Sequence, residues 1–131
     1  MIDPENEVYT LVAQLLRTIY PKINLSGEYV NEPSSFPHVS FVLTDNSVIP
    51  DMTGMDKELS QVMFEVNVYS NKKTGKKTEA KDIMKVIDTK MFSMNFRRIA
   101  LNPVPNLEDG TIYRLVARYI GATDGEFFYR R

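Results

Sequence analysis

The chain has 131 residues, a usual length for one domain, and 43% of them are hydrophobic, so it can bury a core of its own. It has seven Phe, seven Tyr and no Cys, which excludes disulfide bonds, thiolate nucleophiles and cysteine-based zinc sites. The net charge is −1, no apolar run is long enough to cross a membrane and the first residues are acidic, unlike a secretory signal, so we expect a soluble protein.

The first predicted element is an amphipathic helix. Its apolar residues recur at the helical period and form one stripe: Val8, Leu11, Val12, Leu15, Leu16 and Ile19. Asp3 is suited to cap the helix, with Pro4 at its first position. Pro21 ends it, because the residue before a proline is pushed out of the helical conformation.

Three strands are predicted next, at Gly27–Asn31, His38–Thr44 and Gln61–Ser70. The third alternates most regularly, and we expect one set of its side chains to face the helices: Val62, Phe64, Val66 and Val68. Residues 45–60, between the last two strands, are rich in Asp, Pro and Gly and have little pattern. We interpret them as a long loop, and loops of this length are usually functional or disordered.

A second helix is predicted over Thr78–Phe92, with a start that could lie nearer Thr74. Its buried stripe is Ala80, Ile83, Met84, Ile87 and Met91. Strands at Arg97–Asn102 and Thr111–Gly121 follow, and residues 124–131 form an edge strand or a tail. The pattern predicts one α+β domain over residues 1–131, with two helices on a largely antiparallel sheet in the order α-β-β-β-α-β-β.

The chemistry-bearing residues do not indicate catalysis. His38 is the one histidine, and without cysteines it cannot belong to a His/Cys metal cluster or a Cys-His pair. The carboxylate pairs Asp51 with Asp56 and Glu108 with Asp109 lie in turn-like sequence, where Asp is expected for backbone reasons. We therefore expect no catalytic site, no bound metal and no cofactor.

A lysine cluster precedes the second helix and consists of Lys72, Lys73, Lys76 and Lys77. It includes a Gly-Lys pair but lacks the first glycine and the hydroxyl residue of a phosphate-binding loop, so we exclude a nucleotide site. Such a cluster can contact a phosphate backbone, or it can be a solvated turn that keeps the chain soluble. The sequence leaves both interpretations open.

Three stretches together resemble a known family. They are the helix Val8–Pro21 ending in Ile-Tyr-Pro, the strand Phe64–Ser70 that leads into a lysine-rich helix, and the closing passage Asn102–Leu115. Their order is similar to the tail-terminator proteins of tailed bacteriophages and prophages, also called tail-completion or neck proteins. The resemblance covers most of the chain as an ordered pattern and implies a small α+β domain with no catalytic residues.

The resemblance implies a structural role. Members assemble as rings, usually hexamers, on the head-proximal end of the tail tube, stop its polymerisation and join the tail to the head. The implied partners are further copies of the chain, the tail tube protein and the head connector proteins, and DNA would only pass through the ring. The implied location is the neck of the virion, after assembly in the bacterial host cytoplasm.

An uneven charge distribution suggests how copies could meet. Residues 1–70 hold ten acidic and three basic residues, whereas residues 71–131 hold seven acidic and thirteen basic ones. We expect the four lysines of the cluster on one flank and the acids of the long loop, Asp45, Asp51 and Asp56, near the other. The apolar residues of that loop would form a docking arm: Val48, Ile49, Met52 and Met55.

Other interpretations remain open at this stage. The two halves of the sequence could intermix in three dimensions, and the charge asymmetry would then vanish. A different function is a small nucleic-acid-binding module that uses the Lys72–Lys77 cluster. A third is an enzyme of unknown type.

Overall fold

A computed structural model describes residues 1–30, 32–50, 58–105 and 109–129. The elements are α1 (Glu5–Ile19), β1 (Asn24–Ser26), β2 (His38–Ile49), β3 (Leu59–Ser70), α2 (Lys76–Ser93), β4 (Arg97–Val104), β5 (Tyr113–Thr123) and β6 (Phe128–Tyr129). The predicted α+β class and the order α-β-β-β-α-β-β are confirmed, with β6 as a short additional strand.

The six strands form one mixed sheet in the order β1-β2-β3-β5-β4, with β6 paired to the end of β5. Strand β1 runs parallel to β2, and the other pairs are antiparallel. The long strands β2 and β4 therefore lie towards opposite edges, with β3 and β5 between them. Only three residues of β1 pair with β2, so β2 itself forms the sheet edge beyond Ser40.

The core lies between one face of the sheet and the two helices. Val62, Phe64, Val66 and Val68 are fully buried there, which confirms the face predicted for β3. The α2 stripe predicted from the sequence is buried as a whole against the same cluster. The alternation on β3 and the helical period of α2 agree because both faces exclude water from one shared core.

Helix α1 begins one residue later than predicted, at Glu5, although Asp3 still accepts a hydrogen bond from the Glu5 backbone N–H at 3.2 Å. Its apolar stripe is only partly buried. Val8, Val12 and Leu16 are in the core, whereas Leu11 is 36% and Ile19 47% exposed. The stripe is wider than the surface that the sheet can cover, so its outer edge stays in water.

The predicted loop over residues 45–60 is wrong at both ends. Strand β2 continues to Ile49 and β3 begins at Leu59, so Asp45, Val48 and Ile49 lie in a strand. The register shifts between Leu43 and Asp45, which breaks the alternation of the side chains. The polar residues after this shift remain in the strand because they pair with β3. The other residues assigned to the loop interface, Asp51, Met52, Met55 and Asp56, lie outside the described residues.

Two shorter predictions also change. The strand predicted at Gly27–Asn31 is instead β1, at Asn24–Ser26. The Ser26 hydroxyl accepts the Glu28 backbone N–H at 3.0 Å and donates to the Glu28 carbonyl at 2.9 Å, which turns the chain away from the sheet. Of residues 124–131, Phe128 and Tyr129 form the edge strand β6, and residues 130–131 lie outside the described part.

Candidate functional site

The structure divides the predicted lysine cluster. Lys72 forms an ion pair with Glu79 at 3.2 Å, and the same carboxylate accepts a hydrogen bond from the Ser70 hydroxyl at 2.7 Å. Lys76 Nζ donates to the backbone carbonyls of Gly110 and Thr111, at 3.4 and 3.3 Å. Through these contacts the two lysines connect the turn between β3 and α2 to the rest of the fold. Lys73 and Lys77 are exposed, as is Lys72 at 60% of its side chain, and Lys76 is half-buried.

A second row of lysines runs along α2. Lys77, Lys81 and Lys85 are spaced four residues apart, so they lie on one side of the helix, and all three are exposed. Asp88 continues the same side and accepts a hydrogen bond from Arg98 of β4 at 3.3 Å. This contact shows that the lysine row lies on the β4 side of α2.

Strand β4 completes this surface as the edge of the sheet. Leu101 pairs with Ala117 and so lies on the helix side of β4, where it is 40% exposed, and Ile99 at the register shift is 44% exposed. Arg97 is exposed on the other face of β4, because it pairs with Ile120. We call the helix-side surface the basic flank, defined by Lys77, Lys81, Lys85, Ile99 and Leu101. The sequence signal for it was the four-residue lysine spacing, but the strand that adjoins the row could not be identified from the sequence.

The opposite edge of the sheet is acidic. In the part of β2 that extends past β1, Asp45 is exposed and Val48 is 64% exposed. The first residues of the chain cross this edge: Ile2 accepts a hydrogen bond from Asn46 at 2.7 Å. Asp3 and Glu58 are also exposed at this end of the sheet, where the terminal amine forms an ion pair with Glu58 at 3.8 Å. Asp45 pairs with Met63 and Val48 with Ser60, so these two side chains lie on opposite faces of β2. We call this end of β2 and the residues beside it the acidic flank, defined by Asp3, Asp45, Glu58 and Val48.

The two flanks are separated by the width of the sheet, because β2 and β4 lie on either side of β3 and β5. Asp45 is also distant from the turn that carries the lysine cluster. It pairs with Met63, seven residues before Ser70, which is about 23 Å at about 3.3 Å per strand residue. The sequence halves therefore do not intermix at these surfaces. Of the residues assigned to the interface from the sequence, Lys77, Asp45 and Val48 lie on the flanks, and Ile49 is half-buried beside them.

A polar group is also buried on the sheet face opposite the helices. The Tyr69 hydroxyl donates to the Val30 carbonyl at 2.7 Å, and Arg114 donates to Asn67 at 2.8 Å while stacking 5.8 Å from the Tyr69 ring. Burial raises the pKa of Tyr69 to about 12. Tyr69 therefore stays protonated at neutral pH and acts as a hydrogen-bond donor that holds residues 28–30 over the sheet.

His38 lies beside this group, with its ring 5.8 Å from that of Tyr69. It is 3% exposed, and its two ring nitrogens have no hydrogen-bond partner in the described part of the chain. Burial lowers the pKa of His38 because the charged form loses its hydration. His38 is thus a neutral packing residue at neutral pH.

Tyr119 ties β5 to α2. Its hydroxyl donates to Asp88 at 2.9 Å, and burial together with the charge of Asp88 raises the pKa of Tyr119. Asp88 is thereby held between the hydroxyl and Arg98, which fixes the side of α2 that carries the lysine row.

In residues 1–30, 32–50, 58–105 and 109–129, no group of three or more His, Asp or Glu is arranged to hold a metal ion.

The comparisons with known proteins add no relative. No protein-family model matches the chain, and no curated protein matches it at a significant level. Neither helix in the described part of the chain is both long and apolar enough to span a membrane.

Proposed function

We propose that this chain is a structural bacteriophage protein of the tail-terminator type. In this role, copies form a hexameric ring on the head-proximal end of the tail tube, stop its polymerisation and join the tail to the head. The observation that carries the proposal is the pair of oppositely charged flanks on the two edges of one sheet. The resemblance of three sequence stretches to that family supplies the biological setting.

Opposite surfaces on one subunit favour a head-to-tail contact, in which one flank of a subunit meets the other flank of its neighbour. Such a contact uses two different surfaces and closes into a ring when the rotation between neighbours is suitable. An exposed ion pair contributes only about 0–1 kcal/mol, so charge alone would hold a pair of subunits weakly. A closed ring makes every contact at once, and the exposed apolar residues Val48, Ile99 and Leu101 would add to each one.

Mass measurement tests the proposal. The oligomeric mass of the purified chain is measured by light scattering over a range of concentrations, alone and with tail tube protein, and the tube ends are examined by electron microscopy. The expected result is a ring mass of six subunits and tubes whose growth stops when the chain is added. A chain that stays monomeric at every concentration and leaves tube growth unchanged would contradict the proposal.

A second candidate function is nucleic-acid binding, and the exposed row Lys77, Lys81 and Lys85 is the observation that favours it. The original cluster is a weaker candidate, because Lys72 and Lys76 are already bound within the chain. Binding to generic double-stranded DNA, measured across salt concentrations, separates the two functions. A basic row that contacts phosphates would give an affinity that falls steeply with salt, whereas the assembly proposal predicts no binding at physiological salt.

A further inference from the structure

Strand β4 has an open edge that lies beside helix α2. It pairs with β5 on one side, and in the described part of the chain no backbone hydrogen bond reaches its other side. Contacts at both ends show that the strand runs antiparallel to the helix. Arg98, near the start of β4, donates to Asp88 in the second half of α2, and Lys76, at the start of α2, donates to the Gly110 carbonyl beyond the end of β4.

The backbone groups of Leu101 point towards this open edge. In an antiparallel ladder, residue pairs that exchange hydrogen bonds alternate with pairs that do not. Pro103 has no N–H, so its pair with Leu115 belongs to the second kind. Leu101 is two residues earlier in the same register and belongs to that kind as well. Its N–H and C=O therefore face away from β5, whereas those of Asn102 face β5.

We propose that this edge binds an extended, acidic segment of a partner protein, which adds as a further strand beside β4. A partner residue opposite Leu101 would exchange both backbone hydrogen bonds with it, and the Pro103 carbonyl would accept one more. Side chains of directly opposite residues lie on the same face of a sheet. Leu101 is on the helix side and 40% exposed, so an apolar side chain fits opposite it.

The lysine row of α2 specifies where the acidic residues lie. Leu101 is three residues after Arg98, about 10 Å along the strand. The same distance back along α2 from Asp88, at about 1.5 Å per residue, reaches Lys81. The outer lysines, Lys77 and Lys85, are then about 12 Å apart on either side of this level. Strand residues two positions before and after the apolar one are about 13 Å apart on the same face, so acids there match the outer lysines.

The charges of this row are available to a partner. Lys77, Lys81 and Lys85 are exposed, and within the described part of the chain no hydrogen bond or ion pair joins them to another residue. The outward N–H and C=O of Leu101 favour a polypeptide over a nucleic acid, because a nucleic acid has no matching row of backbone donors and acceptors. Charge complementarity and backbone direction thus indicate the same kind of occupant.

A second copy of the chain is a less suitable occupant. One stretch of the sequence has acids two positions before and after an apolar residue, at Glu28, Val30 and Glu32. The carbonyls of Glu28 and Val30 accept hydrogen bonds at 2.7 Å from Ser40 and Tyr69, so this stretch is bound to its own sheet. A segment of another protein would not have to break these bonds.

Binding of the segment does not require ring formation. The segment would cover part of the basic flank, which the proposed ring contact also uses. It would therefore bind free subunits and compete with ring closure, and only this competition rests on the proposed function.

A designed peptide tests the contact on the dilute, monomeric chain. The probe is Thr-Glu-Thr-Val-Thr-Glu-Thr with a fluorescent dye at its N-terminus. The matched control, Thr-Thr-Glu-Val-Glu-Thr-Thr, has the same composition but places both acids on the other face of the strand. Fluorescence anisotropy in about 0.1 M salt should give a Kd of about 0.1–1 mM for the probe, because a short peptide loses conformational entropy on binding. The control should bind about fivefold more weakly, since it loses two exposed ion pairs.

Two chain variants test the role of the lysines. Lys77→Glu with Lys85→Glu should weaken binding of the probe at least about tenfold, because attraction becomes repulsion at both acids. Arg17→Glu with Lys22→Glu makes the same change in net charge at exposed positions near the end of α1. This control should bind the probe like the wild type, since charges farther away than about 10 Å are screened at this salt concentration. Equal unfolding temperatures of the variants separate a lost contact from a lost fold.

Amide hydrogen exchange, read at single residues by mass spectrometry, tests the backbone pairing. In the free monomer the Leu101 amide should exchange fast and the Asn102 amide slowly, because only the second is bonded to β5. At a probe concentration of about ten times Kd, exchange at Leu101 should slow about tenfold and exchange at Asn102 should not change.

Preference for the probe over its control, weaker binding by the lysine variant and protection of Leu101 would together support the contact. Equal affinity for both peptides, or binding without protection of Leu101, would overturn it. Protection of Leu101 in the free monomer would mean that the chain covers its own edge, and protection that rises only with chain concentration would mean that a second copy does. Salt-sensitive DNA binding without preference for the probe would assign the row to nucleic acid. Rings that persist at every dilution and are not loosened by the probe would refute the segment while leaving the proposed function intact.

Discussion

Replacing Phe64 by alanine probes the packing on which both flanks depend. The side chain is fully buried at the centre of β3, and its ring lies 4.9 Å from that of Phe41 and 5.6 Å from that of Phe96. Removing a buried phenyl ring loses its transfer free energy and leaves a cavity, which costs roughly 3–5 kcal/mol. The two ring contacts contribute about 0.5–1.5 kcal/mol each beyond their area, so we expect a value in the upper part of that range.

The assay is urea-induced unfolding followed by far-ultraviolet circular dichroism, since the chain has no tryptophan for fluorescence. Phe64→Leu is the matched control: it fills part of the cavity but loses both ring contacts, so it should cost about 1–3 kcal/mol, less than the alanine variant. A domain of this size has a total stability of about 5–15 kcal/mol, so the alanine variant should remain measurable at low denaturant. A loss below about 1 kcal/mol for alanine, with an unchanged dependence on urea, would show that Phe64 is not in a packed core.

Three further expectations concern other contacts. Gly121→Ala would place a methyl group 2.8 Å from the buried ring of Phe96 and should cost about 1–3 kcal/mol in thermal unfolding, whereas Gly110→Ala, in open space, should not. Burial lowers the pKa of His38 below its ordinary value of 6.5, so the unfolded chain takes up a proton more readily than the folded one. The free energy of unfolding should therefore fall as the pH drops below about 6.5. Replacing His38 by Asn should remove that part of the pH dependence, as measured by urea titrations at about pH 7.5 and about 5.5. Tyr119→Phe removes the hydroxyl that donates to the α2 carboxylate, and a urea titration should show a loss of roughly 1–2 kcal/mol; no loss would mean that the bond is not formed in solution.

Local patterns were sufficient to predict both helices, the strand β3 and its core face. The alternation in β3 and the period of α2 follow from burial on one side, and each depends only on residues a few positions apart. The stripe of α1 was predicted correctly in period but not in width, since Leu11 and Ile19 are exposed. How much of an apolar stripe is covered depends on the neighbouring elements and cannot be derived from the helix alone.

The extent of β2 was decided by tertiary pairing. Residues 45–49 carry Asp, Asn and Ser, which are typical of turns, and their alternation is broken by the register shift after Leu43. They are strand because β3 offers a regular partner along its whole length. Pairing energy from a neighbour outweighs the weak local preference, as is common at sheet edges.

In the candidate site, too, some features were determined by the sequence and others only by the fold. The sequence determined that one half of the chain is acidic and the other basic, and that lysines recur every fourth residue along α2. The strand order, which places β2 and β4 on opposite edges, was decided only by the fold. The fold also decided which lysines remain available: Lys76 is bound by carbonyls 34 and 35 residues away, while Lys81 stands in water. Charge is a property of the residue, but its availability to a partner depends on contacts between distant parts of the chain.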